Sequence, residues 1–398
     1  MMIPERPALE RRLLAALEGT DGRPRIPVLL GPCGSGRTSV LLRLRDLIGR
    51  NTAAYLDIER IATTPERCLD AIRGAIPFSS HPYGAQTSAP VGAREAFDAT
   101  LALLDTARAV GDAPATFLLD EFLELRTFES FPGLRTVLRD LLAALASSGN
   151  RFLLTTRYAA RALRLLRDAP SQFEIIHVGP LSASEIRATL PGLDDVKTGS
   201  AYREAEAERT LDDLAVLVHA LADGRPGYAR LIAETAMTSL PASAPDPVSA
   251  LTALLAPSGR LTSACRYCYE LRLHRARGYG ALKAILDVLA YEEPLTLTEI
   301  ALRLHRTPGS TKDYLSWLED VDLIVSRQKR YSFADPLMRL WVRLHCRAMP
   351  PGVDEVAREV HGYVMARLPH SEPTLALAGA ANATDDDRSR NWGIIEID

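Results

Sequence analysis

The chain has 398 residues, room for two or three domains at roughly 150 residues each, which excludes a single small module. An apolar share of 47% beside 24% charged residues is that of an ordinary folded chain and excludes general disorder, collagen-like repeats and a disulfide scaffold. The 47 Lys and Arg against 50 Asp and Glu leave a net charge of -3, so no global basic field draws the chain to nucleic acid or to a membrane.

Five scattered cysteines, Cys33, Cys68, Cys265, Cys268 and Cys346, fit free thiols in a reducing compartment. The start, MMIPERPALERR, has no apolar leader, and no run of about 18 apolar residues occurs, so a cytoplasmic chain with no membrane partner is expected. Lys stands only at Lys197, Lys283, Lys312 and Lys329; every other basic position is Arg.

In chain order, Pro7 to Leu17 has helical spacing, and Ile26 to Leu30 is a short apolar run that reads as a buried strand. The Gly-rich stretch Gly31 to Gly36 follows directly, and Thr38 to Ile48 is again helical. Further strands are expected at Ala53 to Ile58, Thr116 to Asp120, Arg151 to Thr156 and Phe173 to Val178, with helices between most of them. This alternation predicts an α/β fold, a parallel sheet covered on both faces. Pro77 to Gly92 reads as an exposed loop, either a lid or an insertion. Leu181 to Leu190 and Leu211 to Thr238 read as helices, and Leu240 to Pro257, which contains PASAPDP, as a linker.

From Gly278 the pattern becomes three helices and a hairpin, Tyr279 to Tyr291, Thr296 to His305, Ser310 to Leu323 and Ile324 to Phe333, which is the winged-helix arrangement. Asp354 to Leu368 reads as a last helix and Pro369 to Arg390 as a mobile tail. Asn391 to Asp398 is apolar after that tail, either a short docking strand or a frayed end.

Gly31, Pro32, Cys33, Gly34, Ser35, Gly36, Arg37 and Thr38 match the phosphate-binding pattern G-x-x-x-x-G-K-[ST] except for Arg at the Lys position. In that pattern backbone amides turn inward around phosphates, the helix that Ser39 continues adds its dipole, and Thr38 offers a hydroxyl to Mg2+. Arg37 has two readings: drift in an Arg-rich chain that keeps the site, or loss of hydrolysis with binding retained. Arg is a planar fork where Lys is a compact charge, so slow turnover is expected even on the first.

Phe117-Leu-Leu-Asp120-Glu121 is the second element, a buried strand ending in a carboxylate for Mg2+ (Asp120) and one for water (Glu121); a plain strand end is the alternative. The third is Thr155-Thr156-Arg157, where either hydroxyl is a candidate for the attacking water or γ-phosphate and Arg157 for the developing charge, against a solvated helix start. Gly224-Arg-Pro226 interrupts a helical region, as a lid element or an ordinary turn.

Gly31 to Thr38, LLDEF from Leu118, TTR from Thr155, GPLS from Gly179, GRP from Gly224, and YLSWLEDVDLI followed by KRYSFADPLMRLWVRL together resemble the archaeal-type ATPase family, in the STAND branch of AAA-like P-loop NTPases. The resemblance runs from about Pro7 to Leu344. It implies a five-stranded parallel core with the TTR strand between the Gly-loop and Asp-Glu strands, a helical lid, a winged helix, and ATP with Mg as ligands. It further implies Asp120 on the metal, Glu121 on water, Arg157 as sensor, and Gly224 with Pro226 near the base or lid; of the two hydroxyls, Thr156 is taken as the catalytic one.

The expected division is 1–180 core, 181–240 lid, 241–278 linker and connecting helix, 279–347 winged helix, and 348–398 final helix and tail. Arg260 to Arg347 holds 15 Lys or Arg and 10 Asp or Glu, about +5 against about -8 elsewhere, which makes duplex DNA or an acidic protein partner the candidates there. Thr311 and Lys312 on the second helix of the pair would face bases, and Arg327, Lys329 and Arg330 on the hairpin would face phosphates. Asp313, Glu319, Asp320 and Asp322 oppose that role. A homo-oligomer is also compatible.

Two weaker features complete the reading. Cys265-x-x-Cys268 with His274 lacks a second ligand pair and reads as helix packing rather than zinc. Cys33 is either an oxidisable thiol or a tolerated small residue. The expected function is an ATP-binding switch with slow hydrolysis, the alternative a non-hydrolysing, ATP-stabilised DNA-binding or scaffold protein.

Overall fold

The computed structural model describes residues 6–19, 24–80, 92–190, 201–238, 245–275 and 278–368. Most of the Pro77 to Gly92 stretch and the whole tail after Leu368 lie outside the described residues.

Five parallel strands form the central sheet in the order Ala53–Asp57, Thr116–Asp120, Arg151–Thr156, Ile26–Leu30, Phe173–His177. The strand ending in Thr155-Thr156 therefore lies between the Asp120 strand and the Gly-loop strand, as expected. Ile26–Leu30 and Thr116–Asp120 are buried at all five positions, because helices cover both faces and no position is left to water. Period-2 alternation then sorts the side chains. Phe117 lies in register with Phe152 on one face, their rings stacked at 5.6 Å, and Leu118 with Leu153 on the other.

That second face closes on Leu13 and Leu17 of the Pro7–Glu18 helix and on Val40, Leu41 and Leu44 of the Arg37–Ile48 helix. Each such fully buried Leu contributes about 2 kcal/mol. This packing fixes the helix that follows the Gly loop directly over the sheet.

After the sheet come helices at Ala183–Thr189, Ala201–Ala222 and Pro226–Met237. The expected linker is in part a helix, Pro247–Leu255, with Ala250, Leu251, Leu254 and Leu255 buried. The composition misleads here because the Pro sits in the first helical turn and Asp246 caps it, accepting from the amides of Val248 and Ser249. The Arg260–Arg275 helix follows.

The next unit comprises helices Tyr279–Tyr291, Leu297–Arg303 and Pro308–Asp320 with a three-stranded antiparallel sheet in the order Leu295–Thr296, Arg330–Phe333, Ile324–Arg327. Thr296 and Glu299 form a capping box at the second helix, and Thr307 caps the third. Gln328 and Lys329, at φ 51° and 63°, make the two-residue hairpin turn. Helices Pro336–His345 and Val353–Met365 complete the described chain. Among the described residues no helix is long and apolar enough to cross a membrane.

Candidate functional site

The Gly loop leaves the buried Ile26–Leu30 strand and enters the Arg37–Ile48 helix through Gly36, whose φ of 88° a side chain would oppose. The first intrahelical bond runs from the Val40 amide to the Gly36 carbonyl, so the amides of Arg37, Thr38 and Ser39 have no partner within the helix. Three donors and the positive end of the helix dipole thus lie at this helix N-terminus, the kind of place where anions bind. Ser35 closes the loop with its amide on the Pro32 carbonyl at 3.1 Å, and its hydroxyl is buried without a hydrogen-bond partner.

Beside the loop, Asp120 collects three hydroxyls. Thr38 Oγ1 donates at 2.7 Å, Tyr55 OH at 2.9 Å, and Thr155 Oγ1 donates to the other carboxylate oxygen. Burial, and then the Asp120 carboxylate, push the Tyr55 phenol up, so Tyr55 keeps its proton and donates it to Asp120. Thr155 also accepts from the Glu121 amide. Of the two threonines it is Thr155 that joins the carboxylates; Thr156 Oγ1 accepts from the Tyr158 amide and closes the turn after the strand.

Glu121 is 5% exposed and has a left-handed backbone at φ 56°. Arg37 Nη2 donates to its Oε1 at 2.5 Å, Arg157 Nε lies 3.0 Å from the same oxygen, and the Arg157 amide donates to Oε2 at 3.0 Å. Burial raises the Glu121 pKa, while the two guanidiniums oppose that rise. Burial pulls the Arg157 pKa down, but Glu121 and weaker neighbours overcome it and hold Arg157 charged. Arg157 also pairs with Glu59. In this arrangement Arg37 is turned onto Glu121 and onto the Pro32 carbonyl, at 3.3 Å.

The Gly224-Arg-Pro226 break is packed onto the loop. Pro226 covers Gly36, where an added Cβ would lie 3.5 Å from its Cγ, and the Gly227 amide donates to the Gly34 carbonyl at 3.1 Å. Gly224 at φ 62° locks into the Gly179 to Ser182 turn, its carbonyl accepting from the Leu181 amide at 2.7 Å. A Cβ there would stand 2.7 Å from the Leu181 carbonyl oxygen. Gly224→Ala is therefore expected to cost about 2 kcal/mol in urea unfolding, from the left-handed backbone and the clash together.

Arg225 and Tyr228 then reach the C-terminal unit. Arg225 Nη2 donates to the Ala334 carbonyl at 2.8 Å, and Arg225 Nη1 and Tyr228 OH meet Asp335 Oδ2 at 3.2 and 2.7 Å. A second tie comes from Asp322, which accepts from the Ala159 amide at 2.8 Å and so caps the Ala159–Leu166 helix that follows Arg157. Arg164 pairs with Asp320 beside it. The acidic end of the Pro308–Asp320 helix is thus docked on the core, which accounts for carboxylates that oppose nucleic-acid binding.

Burial raises the Asp322 pKa from 3.8 to about 6, against Arg272, the Ala159 and Ala160 amides and Arg37. A raised folded-state value means that the protonated form favours folding: the gain is full below pH 3.8 and is lost as pH rises through about 6. Asp322→Asn keeps an acceptor and removes the ionisation. Its stability relative to wild type is expected to rise by about 2 kcal/mol from pH 4 to pH 7 in urea titrations; a pH-independent difference would contradict this.

Of the surface set, Lys312, Arg327, Lys329 and Arg330 are exposed. Thr311 is fully buried with its hydroxyl on the Thr307 carbonyl and leaves the set, because it falls on the inward stripe with Leu315 and Leu318. Among the described residues no group of three or more His, Cys, Asp and Glu side chains is placed to hold a metal ion. Sequence reasoning missed Tyr55, Glu59 and Asp335 and met Asp322 only as a carboxylate opposed to DNA, since each acts through a partner distant in the chain.

In solved structures the chain is similar to the Walker-type ATPase PABY2304 of Pyrococcus abyssi, at 18% identity and TM-score 0.61, over 86% of this chain and 96% of that one. A looser likeness is to the Holliday junction branch migration motor RuvB of Thermotoga maritima, at 13% identity and TM-score 0.39, over 83% and 92%. Another is to the STAND protein PH0952 of Pyrococcus horikoshii, which has a tetratricopeptide repeat sensor, at 14% identity and TM-score 0.32, over 90% of this chain and 45% of that one. No protein-family model matches the chain, and no curated protein matches it in sequence. The likeness to the Pyrococcus abyssi ATPase shows the fold, that of a P-loop NTPase.

Proposed function

We propose that this chain is a nucleotide-dependent switch of the archaeal-type ATPase kind, which binds ATP with Mg2+ at Gly31–Thr38, hydrolyses it slowly and passes its state to residues 279–347, on this reading a winged helix. The observation that carries the proposal is the buried clamp of Arg37 and Arg157 on Glu121, set between the phosphate loop and Asp120.

The residues fit such a ligand. Ser35 Oγ and Arg37 Nε are buried without hydrogen-bond partners, and the amides of Arg37, Thr38 and Ser39 open the helix without an intrahelical acceptor. Thr38 Oγ1 and Asp120, 2.7 Å apart, are the hard oxygen donors that Mg2+ takes. When bound, Mg2+ neutralises charge at the phosphates. The chain supplies the rest. A triphosphate competes with Glu121 for Arg37; a Glu121 relieved of that counter-charge accepts a proton from water, and burial suits it to the task by raising its pKa. Arg157, held by Glu59, remains beside the site to oppose negative charge.

The output follows from the chain of contacts. Pro226 and Gly227 rest on the loop while Arg225 and Tyr228 hold Asp335, so a shift of the loop reaches the C-terminal unit through one short segment. Exposed Lys312, Arg327, Lys329 and Arg330 support duplex DNA or an acidic protein as partner.

The test is ATP binding and phosphate release by wild type and Arg37→Lys, with and without duplex DNA. Slow release is expected, accelerated about tenfold in Arg37→Lys, which corresponds to a hold on Glu121 weaker by roughly 1.4 kcal/mol. Binding without release in either protein would favour the second reading, a nucleotide-held scaffold, which the neutralised Glu121 also supports. Absence of binding would overturn both. A steep salt slope with duplex DNA would identify DNA as the partner, and its absence a protein.

A further inference from the structure

The phosphate loop carries a thiol, Cys33, and a helix more than two hundred residues later brings a second one to it. Cys33 Sγ and Cys268 Sγ are 3.0 Å apart, both half-buried, across 235 positions of sequence. An S–S bond is roughly 2.05 Å long, so about 1 Å of movement separates this pair from a covalent link. The other three cysteines, Cys68, Cys265 and Cys346, are not paired with a thiol in this way.

We infer that Cys33 and Cys268 are a peroxide-responsive pair, a modification site at which a disulfide staples the phosphate loop to the Arg260–Arg275 helix. The surroundings divide the two roles. Arg272, one turn beyond Cys268 and 2% exposed, acts on Cys33 together with Arg157 and Arg37. The hydrogen bond from Cys268, and then these three cations, hold the Cys33 thiol well below its usual range against burial. Its bond to Cys33, and then burial, push Cys268 up and keep it the proton-bearing partner.

The chemistry balances with hydrogen peroxide as oxidant. The Cys33 thiolate attacks one peroxide oxygen, the S–O bond forms as the O–O bond breaks, and the departing hydroxide takes a proton to become water. Cys268, giving up its proton, then attacks the Cys33 sulfur; the S–S bond forms, the S–O bond breaks, and a second water leaves. Two thiols and one peroxide become one disulfide and two waters. The link adds a covalent tie next to the Gly227–Gly34 bond and holds the loop closed beneath Pro226. Resting on the nucleotide reading above, this closure excludes ATP.

The test treats the full reduced chain with equimolar hydrogen peroxide, alkylates the remaining thiols and maps peptides by mass. A Cys33–Cys268 linked peptide is expected, reversed by dithiothreitol and formed at least about tenfold faster than loss of the Cys68, Cys265 or Cys346 thiols. In Cys268→Ser, Cys33 sulfenic acid is expected to accumulate and react with dimedone. Prior oxidation of another cysteine, or Cys33 oxidised while Cys268 remains alkylatable, would overturn the inference, and wild type alone decides this. The oxidised chain is expected to bind ATP at least about tenfold more weakly than the reduced one. A disulfide in a chain whose reduced form binds no ATP would keep the pair and sink the nucleotide reading; ATP binding with no disulfide would do the reverse.

Discussion

On the proposed function, Glu121→Gln is expected to lower phosphate release at least about a hundredfold, the scale of losing a positioned general base. The same variant is expected to lose about 3 kcal/mol of stability in the absence of nucleotide. Arg37 and Arg157 are each 7% exposed at the side chain and have Glu121 as their shared counter-charge, so the amide leaves two buried cations undercompensated. Glu59 still meets Arg157, and a Gln oxygen still accepts from the Arg157 amide, which keeps the loss below that of a charge with no partner.

The two effects separate the roles of Glu121. On the proposed function ATP would bring phosphate oxygens to the freed Arg37, so the thermal midpoint of Glu121→Gln is expected to rise more with Mg-ATP than that of wild type. An equal rise in both proteins would show that Arg37 is not released by the ligand, and would remove competition for Arg37 from the mechanism. Unchanged phosphate release would remove Glu121 from it altogether.

The second large effect belongs to Asp335→Ala, expected to cost about 4 kcal/mol in urea unfolding. Asp335 is 3% exposed, and its Oδ2 meets Tyr228 OH and Arg225 Nη1. Its Oδ1 accepts from the amides of Leu337 and Met338 and caps the Pro336–His345 helix. Loss of the cap costs about 1 kcal/mol, and the remainder comes from a buried Arg225 without its carboxylate. Tyr228→Phe removes one hydrogen bond and is expected to cost about 1 kcal/mol. A loss below that for Asp335→Ala would mean that the segment after Gly224 does not hold the C-terminal unit through this carboxylate.

Much of this molecule is legible locally. The buried strands, the Gly loop and the helix after it follow from short apolar runs, glycines and periodicity, all of which act within a few residues. The resemblance to the archaeal-type ATPase family implied the place of the TTR strand in the sheet, which the structure bears out. PASAPDP read as a linker because composition is blind to a cap: Asp246 and Pro247 in that order start a helix. Thr311 read as a surface residue because a helix face is known only once the core it packs against is known.

The sequence by itself determined the backbone of the site: a Gly-rich loop at a helix N-terminus, a carboxylate pair at a strand end, and an arginine where Lys is usual. Only the tertiary structure decided what those side chains face. Arg37 meets Glu121 across 84 positions, Cys33 meets Cys268 across 235, and Asp322 caps a helix 163 positions before it. Charge, hydrogen bonding and thiol reactivity act over a few ångströms in space irrespective of chain distance. Among dozens of arginines and carboxylates, packing selects the pairs.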